Sequence, residues 1–321
     1  MKMEINLIQQ INFSITPINI GTSSQTICLK DQKGIALVVT LLALVLITAL
    51  VVEFSYGVYT STNNLYNWRD SQRLSIMAKS GVNVSAKYLL DILGRYSYSY
   101  PGSMELPVEN PFEDFNGTII VRIEDETSKF NINSIVYKNG DKNNGAYISF
   151  KSLLKILSTD EKIADRIKDW IDPDSIAELP DSEVGAKNSP LVTVDEILLI
   201  NGINKKDYDK LLPYITVYGT TDNLVINING AEAPVLRCLS DDIDEETSKK
   251  IIKYRETNPF VNIGQVYNVA TFQTRTGVSV IFKGENFSIK SIAASGGVKR
   301  IIETVITISK SNTAIQYWKE Y

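Results

Sequence analysis

The sequence predicts an α+β protein: a long N-terminal helix packed on an antiparallel sheet, with a large all-helical region inserted between the strands. Three observations carry this. From Ile35 the chain is free of proline as far as Pro101, and its apolar residues keep roughly helical spacing beyond the first apolar run. Segments rich in β-branched and aromatic residues lie both before residue 137 and after residue 284. Between them the patterns are those of short amphipathic helices. Strands on both sides of a helical region place that region inside one sheet-containing domain.

The first element is "KDQKGIALVVTLLALVLITALVVEF", Lys30 to Phe54. Ile35 to Val52 carry no charge, and as a helix they span about 27 Å, against the ~30 Å hydrocarbon core of a bilayer. Thr40 and Thr48 interrupt the run, but a helical Thr hydroxyl can bond a carbonyl one turn back. Lys30 and Lys33 precede the run and Glu53 follows it, which puts the N-terminus in the cytoplasm and the body across the membrane. The run exceeds the core of a cleaved secretory signal, and "VVEFSY" has no Ala-x-Ala site. It reads as a single-pass anchor or as a retained segment cut on its N-terminal side. The helix continues through Leu65, Trp68, Leu74, Met77, Leu89 and Leu93, for roughly 55 to 60 residues in all.

"YPGSMELPVENPF", with three prolines, reads as a loop. In "GTIIVRIEDETSKFNINSIVY", Ile119, Val121 and Ile123 run out, "DETSK" turns, and Phe130, Ile132 and Ile135 return as the second strand of a hairpin. "SFKSLLKILS" and "TDEKIADRIKDWID" are amphipathic helices, the second with Thr159 as N-cap and an end at Asp172 before Pro173. "SPLVTVDEILLINGINKKDYDKLLPYI" reads as helix, short hairpin, helix. "APVLRCLSDDIDEETSKKIIKYRETNPF" repeats that plan, with Asp244 or one of its neighbours as the cap of "EETSKKIIKYRE". "FSIKSIAA", "RIIETVITIS" and "AIQYWK" are strands, the first two joined through Ser-Gly-Gly.

Composition narrows the function. The net charge is −4, and the chain beyond residue 34 carries 30 basic and 35 acidic residues, which argues against broad nucleic-acid binding. There is no histidine, so Ser-His and Cys-His catalysis and His metal ligation are excluded. Two cysteines, Cys28 and Cys238, cannot form a four-cysteine zinc site. No P-loop or dinucleotide fingerprint occurs. The chain reads as a protein without enzymatic activity or a catalytic cofactor.

Two constellations remain. "DWIDPDSIAELPDSEVG" gathers Asp169, Asp172, Asp174, Asp181 and Glu183. Asp169 and Asp172 share a helix face, and carboxylates on a helix end and adjoining loop suit a hard cation. The alternative is a solvated acidic loop. "INGINKK" resembles the hairpin of a helix-hairpin-helix motif, in which backbone N–H groups around Gly202, aided by Lys205 and Lys206, would meet phosphate. Asp195, Glu196, Asp207 and Asp209 surround those lysines, so a structural packing role in a SAM-like helical region is preferred and no nucleic acid is expected.

"QKG" before "IALVVTLLALVLI" resembles the class III signal of type IV pilins and pseudopilins. The order of several further segments resembles the minor pseudopilin K family of type II secretion systems. These are "AKSGVNVSAKYLL", "RIEDETSKFNIN", "DWIDPD", "NSPLVTVDEI", "LVININGAEAPVLRCL" and "RETNPFVNIGQV". The resemblance implies a pilin-like fold divided as leader 1–34, membrane part of the helix 35–52, pilin-like domain 53–136, inserted helical domain 137–284 and closing strands 285–321. It implies peptidase cleavage between Gly34 and Ile35, methylation of the new N-terminus, and retention in the inner membrane with a periplasmic body. Implied partners are prepilin peptidase, membrane lipid, minor pseudopilins I and J and, through them, the major pseudopilin, in a complex at the pseudopilus tip. A structural calcium ion is implied at Asp169, Asp172 and Asp174, which match the family motif. Asp181 and Glu183 are neighbours in a shortened stretch. Position five of the mature chain is Val39, where repeating subunits carry Glu. A minor pilin of a DNA-uptake machine, binding through Gly202, Lys205 and Lys206, is the alternative.

Overall fold

The computed structural model describes residues 32–110, 112–309 and 312–321. Most of the leader expected at 1–34, including Cys28 and Lys30, lies outside them. Helix α1 spans Gln32–Arg95, 64 residues, a little longer than its apolar spacing predicts. The chain forms two units that divide at Leu65.

From Ile35 to Val52, in the first unit, the helix is apolar on every side and its large side chains are exposed. A helix of this kind belongs in lipid or against other apolar helices. It is the one helix among the described residues long and apolar enough to cross a membrane. The Thr40 hydroxyl donates to the Leu37 carbonyl and that of Thr48 to the Leu44 carbonyl, both at 2.9 Å, so neither presents an unpaired donor to lipid.

The second unit begins at Tyr66. There the inner face of α1 buries Leu74, Met77, Ala78, Val82, Leu89 and Leu93, at the three- and four-residue spacing of one helix face. Leu65 and Trp68 do not belong to this stripe; Trp68 is 64% exposed. The stripe packs on a five-stranded antiparallel sheet in the order β1-β2-β7-β8-β9. The strands are β1 (Ser103–Val108), β2 (Thr118–Asp125), β7 (Asn286–Ser295), β8 (Val298–Ser309) and β9 (Asn312–Glu320). Ile119, Val121 and Ile123 point to the helix, while Thr118, Ile120 and Arg122 between them are exposed. Gly296 and Gly297, both at positive φ, form the two-residue turn between β7 and β8 (φ 56° and 84°).

This region departs from its sequence pattern in two places. The proline-rich segment is not all loop: Ser103–Val108 pairs with β2 as an edge strand. Pro107 is tolerated because an edge strand leaves one side without a ladder partner. Nor does "DETSK" fold a hairpin. After Asp125 the chain makes a 3-10 turn (Glu126–Ser128), and Phe130–Asn131 (β3) pairs in parallel with Ile215–Thr216 (β4). Phe130, Ile132 and Ile135 are fully buried in a second core rather than in the sheet.

That second core is built mainly from helices: α2 (Asn144–Ile156), α3 (Lys162–Ile171), α4 (Lys205–Leu211), α5 (Ala233–Cys238), α6 (Glu245–Arg255) and α7 (Ile263–Tyr267). Phe150, Leu153, Leu154, Ile163, Ile167, Leu236, Ile251 and Phe260 fill it. A small parallel pair, β5 (Leu224–Asn227) with β6 (Val278–Ile281), runs back toward the sheet. Asp244 caps α6 through the Thr247 N–H. Thr159 does not cap α3: its hydroxyl turns back to the Leu154 carbonyl at 2.9 Å, and Asp160 accepts from the Lys162 N–H instead. Cys238 is buried here, and desolvation pushes its thiol up to about 12.

The two cores meet where the chain leaves the sheet and where it returns. Asp125, the last residue of β2, is 2% exposed. Its carboxylate accepts from Asn227 Nδ2 (2.6 Å), the Thr127 N–H (2.9 Å) and Ser99 Oγ (3.3 Å). Ser99 in turn accepts from the Gly284 N–H at 2.8 Å, just before β7.

Glycine 81 sets how closely α1 approaches the sheet. A Cβ there would lie 2.3 Å from Ser291 Oγ and 3.0 Å from Val121 Cγ2, whereas a Cβ at Gly94 meets nothing. Gly81→Ala is therefore expected to destabilise the protein by about 1–3 kcal/mol through overpacking. Gly94→Ala should stabilise it by up to about 1 kcal/mol through helix propensity. Denaturant unfolding of the full chain in detergent micelles measures both, and equal effects would reject the close approach.

Candidate metal centre

Helix α3 ends at Ile171 because Pro173 cannot follow a helical Asp172 without a clash. Its last turn therefore delivers Asp169 and Asp172 on one side, and the loop to residue 188 folds back over them. Asp169 is fully buried and held by that loop: Ser182 Oγ donates to its Oδ2 at 2.5 Å and the Glu178 N–H at 2.8 Å. Asp172 is 1% exposed, and its Oδ2 accepts from Lys168 Nζ at 2.7 Å. Glu183 completes a group in which one carboxylate oxygen from each of Asp169, Asp172 and Glu183 lies within 4.8 Å of the others. Oxygens that share an ion at about 2.4 Å can be no farther apart than about twice that distance.

Two of these carboxylates are incompletely paired. Asp172 Oδ1 and Glu183 Oε1 are buried with no hydrogen-bond partner. An orphaned carboxylate oxygen is costly, and a cation would complete it. Trp170 Nε1 and Asn188 Oδ1, in the same stretch of chain, are also unpartnered. Burial pushes the Asp172 carboxyl up in pKa, with Lys168 opposing and Asp174 and Asp169 reinforcing. Burial and then Asp169, Asp172 and Asp174 push Glu183 up. The donors are all carboxylate oxygens, which fits a hard cation such as Ca²⁺ rather than a soft metal.

Of the five residues singled out in the sequence, the structure brings these three together. Asp174 is exposed and accepts from the Ile176 N–H at 2.7 Å, as in a local turn. Asp181 is exposed at φ 64°, outside the group. Sequence reasoning missed Ser182 and Lys168. Lys168 was detectable, since it stands four residues before Asp172 on a helix, where an ion pair is geometrically natural.

The second constellation has a different environment. Gly202 adopts φ 85°, and the Arg166 guanidinium lies against it, donating to the Asn201 carbonyl at 2.8 Å. Lys205 pairs with Asp209 at 2.5 Å and sits 4.3 Å over the Tyr208 ring. Lys206 is exposed in the first turn of α4. Gly34, Ile35 and Val39 lie on α1 in the first unit, with Val39 exposed on the helix surface.

Together these features define a mixed helix-and-sheet protein carried on one long, partly lipid-compatible helix, with an acidic loop in its helical part. Family models described as type II secretion system protein K match residues 128–220 and 226–282. Two curated proteins named type II secretion system protein K are similar over most of their length. The one from Pseudomonas aeruginosa is 27% identical over 266 residues, 72% of this chain and 74% of that protein. The one from Aeromonas hydrophila is 23% identical over 239 residues, 64% and 70% respectively. The crystal structure of the GspK-GspI-GspJ complex from the enterotoxigenic Escherichia coli type 2 secretion system shares the fold. Its TM-score is 0.57 at 17% identity, covering 78% of this chain and 98% of that one. The matched models and the curated relatives support the type II secretion system protein K family for this chain.

Because the folded-state pKa of Glu183 is raised above its ordinary value of 4.5, metal-free stability falls as pH rises through that value and the raised one. Glu183→Gln should therefore raise the melting temperature in chelator at pH 7, with the gain vanishing near pH 4. The same variant should lose any stabilisation by calcium. Thermal unfolding across pH, with calcium and with chelator, checks this, and a gain that persists at acid pH would overturn it.

Proposed function

We propose that this chain is a minor pseudopilin placed at the tip of a type II secretion pseudopilus. There it initiates or caps assembly and supports export of proteins across the outer membrane. The observation that carries this reading is the pair of protein K matches in series, 128–220 and 226–282, which together take in most of the helical region. Its partners are minor pseudopilins I and J, by likeness to the GspK-GspI-GspJ complex, and through them the major pseudopilin. Its role is structural rather than enzymatic.

In this reading prepilin peptidase cuts between Gly34 and Ile35, Ile35 is methylated, and the apolar part of α1 stays in the inner membrane with the body periplasmic. Val39 supports a terminal position. A Glu there could pair with the N-terminal amine of a neighbouring subunit in lipid, where a lone charge is costly. A subunit without it cannot make that pair, and so suits a first or last place better than a repeated one. The insertion adds bulk that would hinder another subunit from stacking above. A calcium ion held by Asp169, Asp172 and Glu183 would order the 172–188 loop by completing the orphaned oxygens.

The DNA-binding alternative gains no support from its hairpin. Arg166 occupies the face of Gly202 and Asp209 neutralises Lys205.

Mass spectrometry of the protein purified from its own cells is expected to show a methylated Ile35 as the first residue; an intact leader would reject the pseudopilin reading. The full chain should co-purify with pseudopilins I and J from detergent extracts. Val39→Glu should leave the number of pseudopili and the amount of secreted protein unchanged, and a gain in either would argue against a terminal position.

A further inference from the structure

The acidic group carries a cation of its own. Lys168 Nζ lies 2.7 Å from Asp172 Oδ2, 3.4 Å from Asp169 Oδ1 and 3.3 Å from Glu178 Oε1. Its side chain is only 10% exposed, so this is no fluctuating surface pair. The ammonium reaches one oxygen of Asp172 and leaves Asp172 Oδ1 and Glu183 Oε1 without partners. It is thus an incomplete occupant: three carboxylates carry three negative charges, and Lys168 returns one.

We propose that Lys168 is a built-in counter-ion of the metal centre. It holds the end of α3 to the acidic loop when no metal is bound, and it sets the affinity for a divalent cation by opposing it. This rests on the reading of Asp169, Asp172 and Glu183 as a cation site. A dication shared by those carboxylates would stand within a few ångströms of the ammonium, where like charges repel strongly. Glu178 supplies the way out. Its side chain is 44% exposed, so the ammonium can swing to it at the solvent edge and vacate Asp172 without leaving an acceptor altogether. Binding is then an exchange of one cation for another, in which calcium completes an order that Lys168 holds only in part. An ion pair with a purely structural role would stabilise the fold equally with or without calcium and would not move calcium affinity.

The test is calcium titration by calorimetry, with thermal unfolding in calcium and in chelator, on the full chain in detergent micelles. Lys168→Met should bind calcium tighter than wild type by about tenfold or more. It should also melt lower than wild type in chelator and recover in saturating calcium. Lys168→Arg, which keeps the charge, should bind within about threefold of wild type. Tight binding by Lys168→Met alone, with none detectable in wild type, would support the proposal in its strongest form. Unchanged affinity in Lys168→Met beside clear wild-type binding would overturn the counter-ion role and leave the calcium site standing. No binding by either protein would overturn the calcium site, and the counter-ion role with it. A Lys168→Met protein that stays unfolded in saturating calcium would also overturn the proposal, because calcium should then supply the missing charge.

Discussion

The buried carboxylate of Asp125 is the point on which the two halves of the folded body depend. It closes β2, the strand by which the chain leaves the sheet, and it accepts from Asn227 on β5, inside the helical region. Ser99, just beyond α1, bonds both to this carboxylate and to the Gly284 N–H at the place where the chain returns. Burial pushes the Asp125 carboxyl up in pKa, while Asn227 and the Thr127 N–H favour its ionised form. One acid thus ties the end of the long helix, the exit from the sheet and the return to it. Gly284 is required beside it, since a Cβ there would stand 2.3 Å from the carboxylate oxygens.

The acidic loop shows the same physics with a different outcome. At Asp125 the protein provides neutral donors, and the carboxylate is satisfied within the fold. At the end of α3 it provides donors for Asp169, through Ser182 and Glu178, but not for Asp172 Oδ1 or Glu183 Oε1. A carboxylate buried with all its donors is a structural tie. One buried without them is poised to take something from outside. That difference separates the joint between the two cores from the candidate ion site.

The long helix carries two kinds of surface on one backbone. Up to Val52 its surface is apolar on all sides; from Leu74 onward only the sheet-facing stripe is buried and the remainder is mostly polar. The sheet therefore holds the helix by a strip, and Gly81 lets the two backbones approach at its middle. The apolar N-terminal part is exposed, which is consistent with a single membrane anchor and with the matches to protein K.

Much was legible in the sequence because it depends on local pattern. The absence of proline and the apolar spacing gave the long helix, Gly296 and Gly297 gave the β7–β8 turn, Pro173 gave the end of α3, and the order of short motifs gave the family. The acidic residues of the loop were visible as a cluster as well. The tertiary structure decided what pairs with what. "FNIN" has the alternation of a returning strand, yet it left the sheet for the second core, because parallel pairing with Ile215 and Thr216 buries Phe130 and Ile132 fully. Pro107 looked like a loop residue until an unpaired edge made room for it. Three of five acids converged while Asp174 and Asp181 turned outward, a choice made by how the loop folds over α3. Spacing along a chain limits which side chains share a face; only packing settles which of them lose their water and must find partners.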